Sequence, residues 1–366
     1  MYSECPKKYE LFYKKRLREK VRSGALVLGS ALDEAFNHLL LTKDLNRSKE
    51  IFVEKFTNTE INKKQVYVPE CPNIVYAAKD LDLELITNNQ LQHLKSQLDA
   101  NISTNELEEK LRGIQKQKSA IGWKLIKKED KLLYNLANYY CLVQKGLLIL
   151  EAYNEKVIPK IVEVISVQHE ITMDNNEDVL VGIADFICKW ETGETILFDN
   201  KSSSSYYEDN SVKTSQQLTL YDEALKQKQI HVDKFGFIVG LKDIPKNREK
   251  VCVDCGYKAE KGARHSTCFN NVDGKRCGGK YDEKINPKAE IQIIIDTIPE
   301  THKDLILTNV DEINHVMKQG VFTKNLNHCK QGNLICPYYN YCWSKDDSDL
   351  EDMNEQESFC RTKDKP

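Results

Sequence analysis

Long apolar runs are missing from this chain. No stretch of its 366 residues approaches the roughly 20 apolar residues that span a bilayer, and the opening MYSECPKKYELFYKKRLREK lacks the apolar core of a secretory signal. A membrane-spanning or exported protein is therefore not expected, and the chain reads as cytoplasmic. An excess of positive charge is missing too. The net charge is −3 and the pI near 6.3, so no whole-surface attraction for nucleic acid exists and any such contact must come from local basic patches. Internal repeats are absent, which removes solenoids and propellers. With 40% hydrophobic and 30% charged residues and a mean hydropathy of −0.56, what remains is a soluble chain long enough for a sizeable core plus one or two smaller modules.

Two features stand out against that background. Lys7, Lys8, Lys14, Lys15, Arg16, Arg18, Lys20 and Arg22 face only Glu4, Glu10 and Glu19 in the opening segment; such a run is either a solvated helix face or a local nucleic-acid contact. The second is the set of twelve cysteines. In a reducing compartment, clustered cysteines point to metal rather than disulfides. Cys252, Cys255, Cys268 and Cys277 form one group, and Cys329, Cys336 and Cys342 another. Cys71, Cys141, Cys188 and Cys360 stand apart and are expected to be packing or surface thiols.

Along the chain, residues 1–45 read as helical, with Leu11, Leu17, Val21, Leu26, Leu28, Leu32, Phe36 and Leu39 as their apolar positions. Residues 46–130 are charged and weakly patterned, a mostly helical insertion. A stronger helix runs from about Leu132 to Lys156 and stops before Pro159. After it, within a core expected over 131–249, the character changes: IVEVISVQHEITM, VLVGIADFICKW and TILFDNK are short β-branched runs separated by polar turns, and they predict consecutive antiparallel strands. A helix over 211–228 and a strand KFGFIVGLK follow. The cysteine-rich segment 250–283 interrupts the pattern, which resumes over 284–345 with the strand AEIQIIIDTI and a helix over 299–320. The acidic tail, 346–366, is expected to fray. Strand, strand, strand, helix, strand predicts an α/β fold, a mixed sheet with helices on its faces.

Asp185 in VGIADFI and Asp199 in ILFDNKSS sit in apolar strand contexts, where an unpartnered carboxylate is costly to bury. A divalent cation is a natural partner, and hard oxygen ligands suit Mg²⁺ or Mn²⁺. Lys201, two residues after Asp199, shares its strand face and can orient an attacking water and counter charge on a phosphoryl oxygen. Asn200 can lend its backbone carbonyl as a ligand. An acid-x-base tripeptide alone decides nothing, since 56 acids and 53 bases in this length give about eight by chance. A salt bridge between either aspartate and Lys201 explains the two strands equally well. Gln217 and Tyr221 share a face of the next helix, and Gly29-Ser30-Ala31-Leu32-Asp33 puts an acid on the first one.

The succession Gly182-x-x-Asp185, Asp199-x-Lys201 and Gln217-x-x-x-Tyr221 resembles the RecB-like branch of the PD-(D/E)XK nucleases, which includes CRISPR-associated spacer-acquisition exonucleases and the nuclease domains of bacterial recombination helicase–nucleases. The resemblance implies a restriction-endonuclease-like fold and a metal-dependent DNA exonuclease working on ends or single strands in recombination, repair or replication. Replication, recombination or CRISPR-adaptation proteins would be its partners. Asp185 and Asp199 would bind metal, Lys201 would serve the water, and Gln217 and Tyr221 would support the site. Asp33 stands where that branch carries a metal-binding His after a glycine; His38 nearby reads as a surface residue. The rival reading is a catalytically silent DNA- or protein-binding scaffold that keeps the fold, for which Asp33 in place of His speaks.

The cysteine groups point to two further metals. Cys252-x2-Cys255 with Cys268 and Cys277 is a zinc-ribbon signature, four soft ligands for a tetrahedral ion, in a segment with so little core that the metal supplies its folding free energy; His265 is a possible substitute ligand. Cys336-x5-Cys342 with Cys329, and Cys5 in a Cys-Pro-x-x-Tyr context, resemble the iron–sulfur members of the branch, which implies a [4Fe–4S] cluster stapling the termini. A second zinc and unlinked thiols are the alternatives. Tyr206 and Tyr207, just after the catalytic strand, suit base stacking or a flap over the core.

Overall fold

The β-branched runs beyond residue 160 become the sheet of the computed structural model, which describes residues 4–19, 22–57, 74–75, 81–98, 101–121, 126–175, 178–259, 266–331 and 334–352. Its longer strands are β1 (Ile161–Asn175), β2 (Asp178–Trp190), β3 (Thr195–Ser203), β4 (Lys234–Leu241), β5 (Lys246–Cys252), β6 (Tyr281–Pro287) and β7 (Ile291–Asp296). Five of them form one mixed sheet in the order β7-β4-β3-β2-β1. β1, β2 and β3 are an antiparallel meander, β4 lies parallel to β3, and β7 closes the edge antiparallel to β4. A parallel neighbour needs a crossover, and the helix Gln216–Gln227 provides it.

The helices are α1 (Gly24–Thr42), α2 (Leu45–Thr57), α3 (Asn88–Ser96), α4 (Thr104–Ile121), α5 (Lys128–Lys156), α6 (Gln216–Gln227) and α7 (Glu300–Lys318). Strand alternation divides the sheet between two cores. Phe186, Cys188, Ile196, Phe198 and Ile238 turn toward α1 and α5. Ile187, Leu197, Phe237 and Val239 turn toward α6, where Leu218 and Leu225 meet them. The first core also takes in Phe52 and Phe56 of α2, Leu94 of α3 and Leu107 of α4. The described helices of 46–130 are thus a second layer packed on α5. Local signals set their ends: Thr87 and Gln90 form a reciprocal capping box on α3, and Ser215 caps α6 by accepting from the Leu218 N–H at 3.2 Å. The mixed sheet flanked by helices is the restriction-endonuclease-like arrangement.

Two expectations are corrected. Residues 1–45 are not helical throughout. Pro6–Tyr9 is a single α-turn, Glu10–Lys14 is a π-turn, and Leu17–Glu19 is a strand. Arg16, at φ 50 in the left-handed region, ends the helical path. Leu11 then joins Tyr338 and Leu350 in a small core of its own, with Leu17 packed against it. Nor is the acidic tail free from its start: Leu350–Asp352 pairs antiparallel with Leu17–Glu19. Residues 353–366, including Cys360, lie outside the described residues, as do Cys71 and His265.

The cysteine-rich segment grows out of the β4–β7 hairpin. Leu241 N–H donates to Glu290 O at 3.0 Å. Beyond it β5 and β6 pair antiparallel from Lys246↔Pro287 to Cys252↔Tyr281, forming a two-stranded arm with the cysteines at its far end.

α2 crosses α5 closely because Gly146 has no side chain: a Cβ there would overlap the Phe52 ring. Gly146→Val should therefore cost about 1–3 kcal/mol, the usual penalty of overpacking a dense core. A urea titration reads this as a lower midpoint with an unchanged slope; an unchanged midpoint would show that the helices slide apart freely.

Candidate active site

β2 and β3 pair from Lys189↔Thr195 to Phe186↔Phe198 and no further. One step on in the same register, Asp185 stands across from Asp199. There the sheet forks: β2 continues with β1 as far as the Asn175↔Asp178 rung, and β3 continues with β4 to Ser203↔Leu241. The two aspartates sit in the crotch of this fork, with the peptide of Asn200 turned into it. The Asn200 N–H donates to Asp185 Oδ2 at 2.5 Å.

α6 braces the fork from one side. Gln217 Nε2 donates to Asp199 Oδ1 at 2.8 Å and lies 2.9 Å from the Tyr221 hydroxyl oxygen. Tyr221 O–H donates to the carbonyl of Ile183 at 2.7 Å. Gly182 is required for that approach, since a Cβ there would come within 2.5 Å of the Tyr221 ring. Lys201 donates to Gln217 Oε1 at 3.2 Å and forms an ion pair with Asp199 Oδ2. The salt bridge considered from sequence is thus present. Asp199 Oδ2 nevertheless accepts no directed hydrogen bond, because the ammonium reaches it off the line a hydrogen bond needs. From the other side, α1 brings Asp33. Gly29 rests against Ser202 Oγ at 3.8 Å from where a Cβ would be, so the helix lies close on β3.

The electrostatics are those of too many carboxylates. Burial pushes Asp185 up to about 8, and the charges of Asp199 and Asp33 add to it; the Asn200 N–H and Lys201 pull the other way. Burial also raises Asp199, against Lys201 and Gln217, and it raises Asp33, helped by Asp199 and Glu34. Burial lowers Lys201, but Asp199 and Asp185 more than restore it, so it stays an ammonium. With all three carboxylates ionised, Asp33, Asp185 and Asp199 against Lys201 would leave two negative charges in excess. That excess charge fits one divalent cation, which Asp33, Asp185, Asp199 and the Asn200 carbonyl could hold. The carboxylates are not drawn tightly together, as mutual repulsion demands.

Sequence reasoning missed two supporting residues. Gln168, at φ 50, sits between the Val167↔Phe186 and His169↔Ala184 rungs and reaches Asp33 Oδ1 at 3.4 Å. Tyr153 of α5 is fully enclosed and donates its O–H to Asn200 Oδ1 at 3.2 Å. A polar residue in a strand and a tyrosine on an apolar helix face were the available signals. His38 faces away from the cleft and bonds Ser48 Oγ at 2.9 Å. Tyr207 packs edge-on against Phe237 and Tyr206 bonds Glu290, so both tie the chain after β3 to the base of β7. The opening basic run is largely spent locally: Lys7 and Lys15 pair with Glu10, Lys8 with Glu4, and Arg18 covers the Phe12 ring at 3.4 Å.

Both cysteine groups converge. Among the described residues, Cys252, Cys255, Cys268 and Cys277 are the group whose ligand atoms all lie within 4.8 Å of one another. Cys252 and Cys277 Sγ are 3.6 Å apart, and Cys255 and Cys268 Sγ 3.7 Å. A tetrahedral ion with sulfur ligands at 2.3 Å demands about 3.8 Å. Cys5, Cys329, Cys336 and Cys342 instead line a pocket together with Lys8 and Lys324. The stretch between Cys329 and Cys336 closes as a short hairpin, and the Cys336 N–H donates to the Cys329 carbonyl at 3.0 Å. Burial pushes the Cys336 and Cys342 thiols up, and the neighbouring cysteines add to it. Cys141 and Cys188 are buried packing thiols.

A carboxyl raised from its ordinary ~3.9 to about 8 holds a proton in the folded chain that the unfolded chain has released. Metal-free protein should therefore lose stability as the pH climbs between those values, with the full loss present above about 8. Thermal unfolding across this range checks it: the Tm falls in wild type, falls less in Asp185→Asn, and recovers at the alkaline end when Mg²⁺ or Mn²⁺ is added. A Tm that rises with pH would show Asp185 ionised at no cost.

None of the curated proteins matches this chain. The family model of the PD-(D/E)XK nuclease superfamily matches residues 1–343, so it spans both faces of the fork, the arm and the terminal cysteines. Taken with Asp185, Asp199 and Lys201 at the fork, this match makes the chain a member of the PD-(D/E)XK nuclease superfamily, whose enzymes hydrolyse phosphodiester bonds with divalent metals.

Proposed function

We propose that the chain is a divalent-metal-dependent deoxyribonuclease of the RecB-like branch, an exonuclease acting on DNA ends or single strands in recombination, repair or replication. The observation that carries this reading is the position of Asp185 and Asp199 across the fork, one step past the last rung, with Lys201 and Gln217 beside them. A buried hairpin salt bridge needs one carboxylate; this site keeps three around one ammonium.

A divalent cation held by Asp33, Asp185 and Asp199 supplies charge neutralisation for a phosphoryl oxygen and acidifies a water molecule. The residues of the chain do the rest. Gln217, anchored by Tyr221, fixes Asp199 through one amide end and Lys201 through the other. Lys201 stays charged and partly exposed to the cleft, where it orients the water and offsets negative charge as the phosphorus is attacked. Tyr153 holds Asn200 so that its N–H stays on Asp185. Aspartate in place of histidine at position 33 makes the ligand set all oxygen, which favours Mg²⁺ and Mn²⁺ over softer ions.

We assign zinc to Cys252, Cys255, Cys268 and Cys277, on the tetrahedral spacing of their sulfurs, and a [4Fe–4S] cluster to Cys5, Cys329, Cys336 and Cys342. The second assignment is supported by four thiols that line one pocket without closing to the 4.8 Å of the first group. Each group draws on a separate stretch of sequence: the arm for zinc, both termini for the cluster.

Degradation of labelled single- and double-stranded DNA tests the enzyme reading. Wild type should be active with Mg²⁺ or Mn²⁺, and Lys201→Ala should lose about 10²–10³-fold or more, the usual effect of removing one preorganised electrostatic group. If wild type and Lys201→Ala are equally inactive with every metal, the chain is a silent scaffold. Anaerobically purified protein should show broad visible absorbance that disappears in Cys336→Ala while zinc content holds at about one per chain; zinc in both sites and no visible band would reject the cluster.

A further inference from the structure

In the opening basic segment Lys7, Lys8 and Lys15 pair with its own acids and Arg18 covers Phe12, which leaves only part of that run for a substrate. Residues 246–259 and 266–287 form a second basic stretch: eight Lys and Arg stand against five Asp and Glu, in a chain whose net charge is −3. The arm they build roots at Leu241, two residues beyond Val239, which pairs with Lys201. It therefore leaves the sheet at the end where the cleft opens. Tyr206 and Tyr207, directly after β3, hold Glu290 and Gln292 at the same root. Seven residues of β5 reach about 23 Å at the usual strand rise, roughly seven stacked nucleotides at ~3.4 Å each.

The far end of the arm carries its apolar groups on the outside. Phe269 is 45% exposed and Tyr257 40%. The Arg276 guanidinium lies over the Phe269 ring at 3.6 Å and is itself exposed. Lys275 sits beside it in a tight hairpin, Asn271–Arg276, whose turn residues Asp273 and Gly274 both take positive φ. An aromatic face with a stacked guanidinium and flanking ammonium groups matches bases and phosphates together. With zinc on the four converging thiols beneath, as assigned above, the platform would be rigid, so little conformational freedom would be lost on binding.

We infer that this arm is a nucleic-acid grip: its tip stacks bases of a single strand on Phe269 and Tyr257, with Arg276 and Lys275 on the phosphates, while the strand end lies at the fork. The inference rests on the reading of the chain as a DNA nuclease and adds a second, remote contact that sets a minimum substrate length.

The test is fluorescence anisotropy with single-stranded oligonucleotides of about 3 and about 30 nucleotides, the shorter one unable to span cleft and tip even when unstacked, with no divalent cation added so that binding is read without hydrolysis. Wild type should bind the longer strand more tightly. Phe269→Ala with Arg276→Ala should weaken that binding roughly tenfold or more, leave the short strand unchanged, and keep zinc content and unfolding midpoint, since neither residue is a sulfur ligand. Lys275→Glu should lower the salt slope of long-strand binding by about one. Wild type that binds both lengths equally, or variants that bind as wild type does, overturns the grip. Wild type that binds in the expected way but never cuts leaves the grip standing and fails the nuclease; variants that cut long DNA with unchanged KM leave the nuclease standing and fail the grip.

Discussion

One rung decides this molecule. Phe186 and Phe198 stack with ring centroids 5.3 Å apart, and they are the last pair that β2 and β3 make. Gly236 on β4 leaves room for the Phe198 ring, since a Cβ there would overlap it. With that aromatic pair fixed, the strands part immediately beyond it, and the next residue on each is an aspartate. Two carboxylates placed side by side in a closed sheet would repel and lose their water. Placed in a fork, they keep one open side, which the braces from α6 and α1 then shape. The parallel pairing of β3 with β4 carries the same end of the sheet outward into the cysteine arm.

The sheet was legible because its signal is local. Period-two alternation in ILFDNK and GIADFI sets which residues face α6, and the spacing of Gln217 and Tyr221 on one helix face put both against the fork. Asp33 was legible only as an acid after a glycine; that it lies beside Asp199 depends on how α1 crosses the sheet. Gln168 and Tyr153 were out of reach for different reasons. The first depends on a left-handed φ within a regular stretch of strand, which no residue type announces. The second is one tyrosine among several on α5, singled out by the Asn200 amide alone. The opening segment misled because Leu11 and Leu17 fit a helical stripe, while their partners, Tyr338 and Leu350, lie at the opposite end of the chain.

Sulfur and oxygen are kept apart in this chain. Hard carboxylates occupy the fork, tightly spaced thiols the arm, and widely spaced thiols the pocket at the termini. On the proposed assignments, ligand softness and spacing would together keep the three sites from exchanging ions, because a set suited to one offers the wrong donor or the wrong distance to the others. The buried cysteines near the sheet do not blur the separation: burial pushes Cys188 up to about 12, so it stays a protonated packing group under the site.

The pairing of Leu17–Glu19 with Leu350–Asp352 gives the chain a fixed order of assembly. Glu4 and Asn325, joined by one hydrogen bond, are 321 residues apart in sequence, and Cys5 waits for its three partners across the same interval. At a synthesis rate of roughly 5–20 residues per second, that wait lasts on the order of tens of seconds after Cys5 leaves the ribosome. The sheet, the helical layer and the arm can all close before then, from contacts of shorter span. The terminal cysteine pocket is therefore completed after the elements whose contacts lie between its two ends.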